Sequence, residues 1–184
     1  KNINNFFKNN DYNILVGKTI DKDNSSIVAG KHEYNNKVLK LNNILGSSTT
    51  LFIKKGNFEI KFDEQFGLGA TFNSEEENDL IFRLLNNNIL GYYNPEINFV
   101  YHPPSDLNLK DLKRVKNRTF GLGAFIAKHL YSIEGMKYFF KYNLVRPLSA
   151  SLFYFFILDF DKSKFYLTRF IGIWSGFIQY FKSK

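Results

Sequence analysis

Acidic side chains concentrate between residues 63 and 79, and their types and spacing could perform acid–base chemistry. They are Asp63, Glu64, Glu75, Glu76, Glu77 and Asp79. One or two acids at a helix start interact favourably with the helix dipole, by about 0.3 to 1 kcal/mol each, but further acids repel their neighbours. The surplus of carboxylates next to the glycines Gly67 and Gly69 therefore favours a general base or a site for sugar hydroxyls.

A structural explanation of the same cluster stays open. Ser74-x-x-Glu77 matches a capping box, in which the two side chains accept hydrogen bonds from backbone amides at the start of a helix. The spacing alone is consistent with a functional site and with an ordinary helix start.

Periodicity and turn residues predict the elements that must position these acids. The predicted strands cover residues 12–20, 50–54, 89–93 and 97–102. Apolar residues at helical spacing predict a helix from about 75 to 87, and the run Asn86-Asn87-Asn88 ends it. Asp21-Lys22-Asp23 is predicted to be a turn, because Asp favours local hydrogen bonding in loops. The first hundred residues are therefore predicted to be α/β.

Charge and aromatic content divide the 184-residue chain into two regions, 1–103 and 104–184. The first holds 11 basic and 12 acidic side chains and the second 14 and 5, and residues 138–184 contain 16 of the 33 aromatic residues. The size suits one ordinary globular domain. Because cysteine is absent, disulfides, thiol nucleophiles and Cys-ligated metal sites are excluded.

The C-terminal region is predicted to be helical, with interruptions at Gly121, Gly123, Gly135 and Pro147. Its apolar runs, 148–158 and 165–181, are shorter than the roughly 20 residues that a spanning helix needs. They predict amphipathic helices in a membrane interface, where Trp174 and the tyrosines would lie at headgroup level and the basic residues would meet anionic lipid. The alternative is that they pack on the protein itself.

Several short motifs occur together in a recognisable order. They are Phe62-Asp63-Glu64, the glycine-rich loop, Glu76-Glu77-Asn78-Asp79-Leu80 with Arg83, Gly91-Tyr92-Tyr93-Asn94-Pro95, and Val100-Tyr101-His102. In order and spacing, they resemble the C-terminal half of the family 2 glycosyltransferases of the GT-A fold, over about residues 12 to 130. The resemblance implies the acceptor-side half of a Rossmann-like α/β domain in residues 1–103, followed by basic, aromatic-rich, membrane-associating helices in 104–184.

The resemblance also implies an activity, namely inverting transfer of a sugar from a nucleotide-sugar donor to an acceptor hydroxyl. The acceptor would be a glycan or a lipid-linked molecule in bacterial cell-surface polysaccharide or glycolipid synthesis. Glu77 corresponds to the family's general base, and Glu76 beside it stays an alternative base. The implied substrate-binding residues are Asp63, Glu64, Gly69, Asp79 and Arg83, with Asp63 and Asp79 also holding the loop and the helix.

His102 resembles a position from which some GT-A enzymes ligate a divalent cation, Mn²⁺ or Mg²⁺. Imidazole beside carboxylates suits manganese, and a cation there would stabilise a departing diphosphate. The family's nucleotide-binding half, which ends in a metal-binding Asp-x-Asp, does not appear before Lys1. The chain is therefore expected to be incomplete and inactive by itself.

Two other functions fit the composition. A nucleic-acid-binding protein is compatible with the pI of about 9.5, but only five arginines are present and the positive charge coincides with the most apolar runs. The expected partners therefore exclude nucleic acid and include the cytoplasmic face of a membrane. A non-catalytic membrane-associated scaffold, in which the acids only start a helix, is the other alternative.

Overall fold

The computed structural model describes residues 3–21, 35–44, 48–96, 99–102, 111–138, 140–141 and 145–184. It is a mixed α/β structure with a small four-stranded mixed sheet and several helices. The chain divides into two compact units. Lys1–Phe62 and Glu77–Asp106 form the sheet unit, and Asp63–Glu76 and Leu107–Lys184 form the helical unit. The helical unit therefore includes a loop that the predicted division at residue 103 assigned to the first region.

The described elements of the sheet unit follow one another along the chain. They are α1 (Ile3–Asn9), β1 (Ile14–Val16), β2 (Lys18–Asp21), β3 (Lys37–Val38), a 3₁₀ turn (Ser48–Thr50), β4 (Leu51–Ile53), α2 (Glu76–Asn86), β5 (Gly91–Tyr93) and β6 (Phe99–His102). The sheet order is β3-β5-β1-β4, in which β1 is parallel to β5 and the other two pairs are antiparallel. A separate parallel pair joins β2 to β6. The predicted helix and the three later strands are confirmed, although residues 97 and 98 lie outside the described part of the chain.

The first predicted strand is divided. Gly17 separates β1 from β2, and its amide donates to the Thr50 carbonyl at 3.0 Å. As a result, β1 pairs with β5, whereas β2 pairs with β6. The prediction of one continuous strand over 12–20 is wrong because the pairing partners change at Gly17, which local β propensity does not encode.

A single apolar cluster joins α2 to the sheet. Leu80, Ile81 and Leu84 pack with residues of β1 and β5, among them Ile14 and Tyr93, and each of these side chains is almost fully buried. The spacing of the helix residues places them on one face, as expected for a helix that covers a sheet. This packing positions α2 in the sheet unit.

The helical unit contains α3 (Leu112–Lys128), α4 (Ile133–Tyr138), α5 (Arg146–Phe156) and α6 (Phe160–Lys182). The longest contact runs between α3 and α6, and α5 also packs on α6. Among the described residues, no helix is both long and apolar enough to cross a membrane.

Glycines inside these helices allow close backbone contact. A Cβ on Gly123 would overlap the Ile173 carbonyl, and one on Gly176 would overlap the Phe120 carbonyl. The predicted interruptions at Gly121 and Gly123 are therefore wrong, because α3 continues through both residues. The missing side chain of Gly123 admits α6, and that of Gly121 admits the loop at Phe72 and Ser74. Gly135 likewise lies inside α4, whereas Pro147 lies in the first turn of α5, where proline is tolerated.

Candidate functional site

The residues that the sequence identifies fall into two groups, one in each compact unit. Asp63, Glu64, Gly69 and Glu76 belong to the helical unit, and Glu77, Asp79, Arg83 and His102 belong to the sheet unit. The boundary lies at the peptide bond between Glu76 and Glu77, in the first turn of α2. Both glutamate side chains are half-buried.

In the helical unit, two phenylalanines anchor the loop that precedes α2. The rings of Phe66 and Phe72 lie 5.2 Å apart, and Phe72 also contacts Phe120 of α3 and Tyr180 of α6. Phe72 is fully buried. The loop is therefore held by the helices of its own unit.

Asp63 fixes the start of this loop through both carboxylate oxygens. Its Oδ1 accepts from the Gln65 amide at 2.9 Å, and its Oδ2 pairs with Lys128 Nζ at 2.6 Å. The Lys128 ammonium also lies 5.1 Å from the centroid of the Phe66 ring. A residue of α3 that is 65 positions away along the chain thus positions the loop.

Two glycines shape the part of the loop next to Glu76. Gly67 and Gly69 have φ values of 107° and 85°, which favour glycine. A Cβ on Gly67 would lie 3.3 Å from Cδ of Glu76, so the glutamate side chain packs directly over this glycine. Gly69 and Glu64 lie in the exposed part of the loop, and a Cβ on Gly69 would point into open space.

The start of α2 does not have the register of the proposed capping box. The first helical residue is Glu76, so Glu75, with φ 76°, precedes it and Ser74 lies one position too early. The Ser74 hydroxyl instead donates to the Arg118 carbonyl of α3 at 3.1 Å. The capping-box interpretation is therefore wrong, because Ser74 lies before the N-cap position and its hydroxyl contacts α3 instead.

In the sheet unit, Asp79 and Arg83 form an ion pair on one face of α2. Arg83 Nε donates to Asp79 Oδ2 at 2.9 Å, and Arg83 Nη2 donates to the Lys61 carbonyl. Asp79 is fully buried, whereas the arginine keeps partial contact with solvent. A buried carboxylate needs such a partner to remain charged. The pair ties the first turn of α2 to the chain at Lys61.

His102 ends β6, where its Cα is the ladder partner of Asp21 at the end of β2. Asp21 therefore belongs to a strand rather than to the predicted turn, and Lys22 and Asp23 lie outside the described residues. The side chains of His102 and Asp21 also lie outside that description. Among the side chains that are described, no group of three or more His, Asp or Glu residues could hold a metal ion.

Sequence reasoning missed one residue that positions the candidate site. Gly67 was already identified as part of the glycine-rich loop ahead of the acidic helix start, where glycine permits close approach. Lys128 carried no local signal, because its partner Asp63 is distant along the chain.

Comparisons with protein-family models, with curated proteins and with solved structures found no match for this chain. The resemblance to the family 2 glycosyltransferases therefore depends on the motifs themselves.

Proposed function

We propose that this chain is the acceptor-side part of an inverting glycosyltransferase of the GT-A type. The observation that carries the proposal is the pair Glu76-Glu77 in the first turn of α2, directly after a loop whose shape depends on Gly67 and Gly69. Asp63 holds that loop, and Asp79 with Arg83 holds the helix. The two supporting carboxylates hold the loop and the helix, and the glutamates lie between them at the start of α2.

The reaction is a single displacement. A glutamate carboxylate accepts the proton of the acceptor hydroxyl while the hydroxyl oxygen forms a bond to the anomeric carbon. The bond from that carbon to the diphosphate oxygen breaks at the same time, and the nucleoside diphosphate leaves on the opposite face. A carboxylate can serve as the base only within hydrogen-bonding reach of the hydroxyl.

Glu77 is the proposed base, with Glu76 beside it as the competitor. The side chain of Glu76 packs over Gly67, and this contact favours a role in orienting the acceptor. The proposed substrate-binding contribution of Glu64 and Gly69 is consistent with their exposure at the edge of the loop.

A divalent cation at His102 is a further part of the proposal. This part rests on the resemblance, in which an imidazole beside carboxylates suits Mn²⁺. When bound, such a cation would neutralise charge on the departing diphosphate.

The test compares Glu77→Gln, Glu76→Gln and the matched control Glu59→Gln, an exposed glutamate of the sheet unit. Release of nucleoside diphosphate from a panel of nucleotide sugars is measured in the longest gene product that contains this chain. Loss of the base is expected to lower the rate by about 10² to 10⁴, and the control should keep full activity. If only Glu76→Gln is inactive, the base is Glu76; if both variants transfer sugar normally, the acids are structural and the proposal fails.

A further inference from the structure

The end of α5 and the turn into α6 expose an unusual amount of apolar surface. The large apolar side chains that face solvent there are Leu148, Leu152, Phe153, Phe155, Phe156, Ile157, Leu158 and Phe160. Residues 147–158 contain no charged side chain. Contiguous apolar patches of this kind mark sites of interaction with a protein or a membrane. We call these eight residues the apolar tip.

The polar groups of α5 are used inside the helical unit. The Ser149 hydroxyl donates to the Val145 carbonyl, and Ser151 and Ser163 exchange hydrogen bonds between α5 and α6. Tyr154 stacks on Tyr166 of α6 with the ring planes 5° apart. Protein interfaces carry about one hydrogen bond per 100 to 200 Å², whereas lipid hydrocarbon needs none. The apolar tip therefore suits lipid better than a protein partner.

The residue at the end of α5 has a conformation that favours glycine. Leu158 has φ 61° and is 72% exposed. Its amide bonds the Phe155 carbonyl at 3.1 Å, and the Asp159 amide bonds the Tyr154 carbonyl at 2.9 Å. This pattern is a Schellman motif, in which glycine normally occupies the position of Leu158 because it has no Cβ. The leucine side chain thus adds strain and exposure without a corresponding contribution to the fold.

Charges at both ends of the apolar tip complement an anionic surface. Arg146 begins α5 and Lys164 follows the tip, and both side chains are exposed. Asp159 is paired with Lys162 at 2.8 Å, which leaves the exposed Asp161 as the opposing charge. Basic residues near an anionic membrane add electrostatic attraction to the binding that apolar insertion supplies.

We infer that the apolar tip inserts into the interface of a membrane that contains anionic lipid. With 11 residues, α5 is about 16 Å long, well short of a hydrocarbon core of roughly 30 Å. The tip therefore enters one leaflet rather than crossing the bilayer. This inference is independent of the proposed sugar transfer, because it concerns only α5 and the turn into α6, which contain none of the proposed site residues.

The experiment measures flotation of the chain with vesicles made of equal parts phosphatidylcholine and phosphatidylglycerol. Leu158→Gly should lower the partition coefficient about tenfold, since burying a leucine side chain in an apolar medium is favourable by an amount of that order. The same variant should keep or raise the melting temperature, because glycine relieves the backbone strain. Loss of lipid binding without loss of stability is a result that misfolding could not produce.

A matched pair of substitutions tests whether the loss of vesicle binding is specific to the apolar tip. Leu152 in α5 is 52% exposed and Leu90 in the sheet unit is 49% exposed. Leu152→Ser should lower vesicle binding about tenfold, whereas Leu90→Ser should leave it unchanged. Equal flotation of the wild-type chain, Leu158→Gly and Leu152→Ser would overturn the inference.

Light scattering of the chain without lipid tests the alternative that a second copy of the chain, rather than lipid, covers the apolar tip. A monomer that binds vesicles supports the inference. A dimer that Leu158→Gly dissociates, together with no vesicle binding, would show that the apolar tip is a protein interface and would overturn it.

Discussion

The sheet unit and the helical unit differ in how far their large apolar side chains are buried. In the sheet unit, α2 covers the strands, and Leu80, Ile81 and Tyr93 are completely buried. In the helical unit, α3 and α6 make a close contact through glycines, but the far side of α5 keeps large apolar side chains in solvent. Among the described residues, 18 of the 22 exposed large apolar side chains belong to the helical unit.

This difference shows that hydrophobic content alone does not decide burial. An amphipathic helix with one apolar face can bury that face against one partner, as α2 does against the sheet. A helix that is apolar on several faces needs more than one partner, and α6 covers only part of α5. The surplus apolar surface of the helical unit is therefore the surface that the inferred membrane insertion would cover.

The largest expected effect is the difference in stability loss between truncating a buried leucine of the sheet unit and truncating an exposed leucine of the helical unit. Leu80→Ala should lower the free energy of unfolding by about 2 to 5 kcal/mol, because it leaves a cavity beside Ile14 and Tyr93. Leu152→Ala should change it by less than about 0.5 kcal/mol, because Leu152 is largely exposed. Urea denaturation measures both values. Equal losses would mean that the tip of α5 is covered in solution.

A second expected effect concerns the contact between α3 and α6. Gly176→Ala should lower the free energy of unfolding by about 1 to 3 kcal/mol, because the new Cβ would overlap the Phe120 carbonyl and force the helices apart. Ser175→Ala is the control, since the Ser175 hydroxyl donates to the Ile171 carbonyl of its own helix.

The control should change stability by less than about 0.5 kcal/mol. Alanine is favoured over glycine by roughly 1 kcal/mol in an unhindered helix. A stabilised Gly176→Ala variant would therefore show that the two helices do not approach closely.

The smallest expected effect is a pH dependence in the helical unit. The Lys162 ammonium, with the Lys162 amide, hydrogen-bonds the Asp159 carboxylate and holds its pKa below the ordinary value. Because the pKa of Asp159 is lower in the folded state, its contribution to stability is present above the unfolded pKa. That contribution is lost as the pH falls through the folded pKa, in a window below about pH 4.

Thermal unfolding across that window checks this prediction. Asp159→Asn should flatten the dependence of the melting temperature on pH. Lys162→Gln should flatten it only in part, because the hydrogen bond from the backbone amide of residue 162 to the Asp159 carboxylate remains. An unchanged slope in both variants would show that this pair does not couple to folding.

The candidate site could be predicted in part. The helix that carries Glu76 and Glu77 was found because its apolar residues repeat at helical spacing and an asparagine run ends it. The pair of Asp79 and Arg83 is also local, four residues apart on one helix. The pair of Asp63 and Lys128 could not be found in this way, because no periodic signal connects residues 65 positions apart.

The sequence by itself determined where α2 lies, where β4, β5 and β6 lie, and that basic and aromatic residues concentrate after residue 103. These properties depend on neighbours within about one or two turns, so a local pattern contains them. Only the tertiary structure decided that Gly17 divides a strand, that α3 runs through Gly121 and Gly123, and that the loop before α2 belongs with α3 and α6. Local pattern specifies which side chains tend to be buried, but the distant segment that buries them is selected by packing and by hydrogen bonds between residues far apart in the chain.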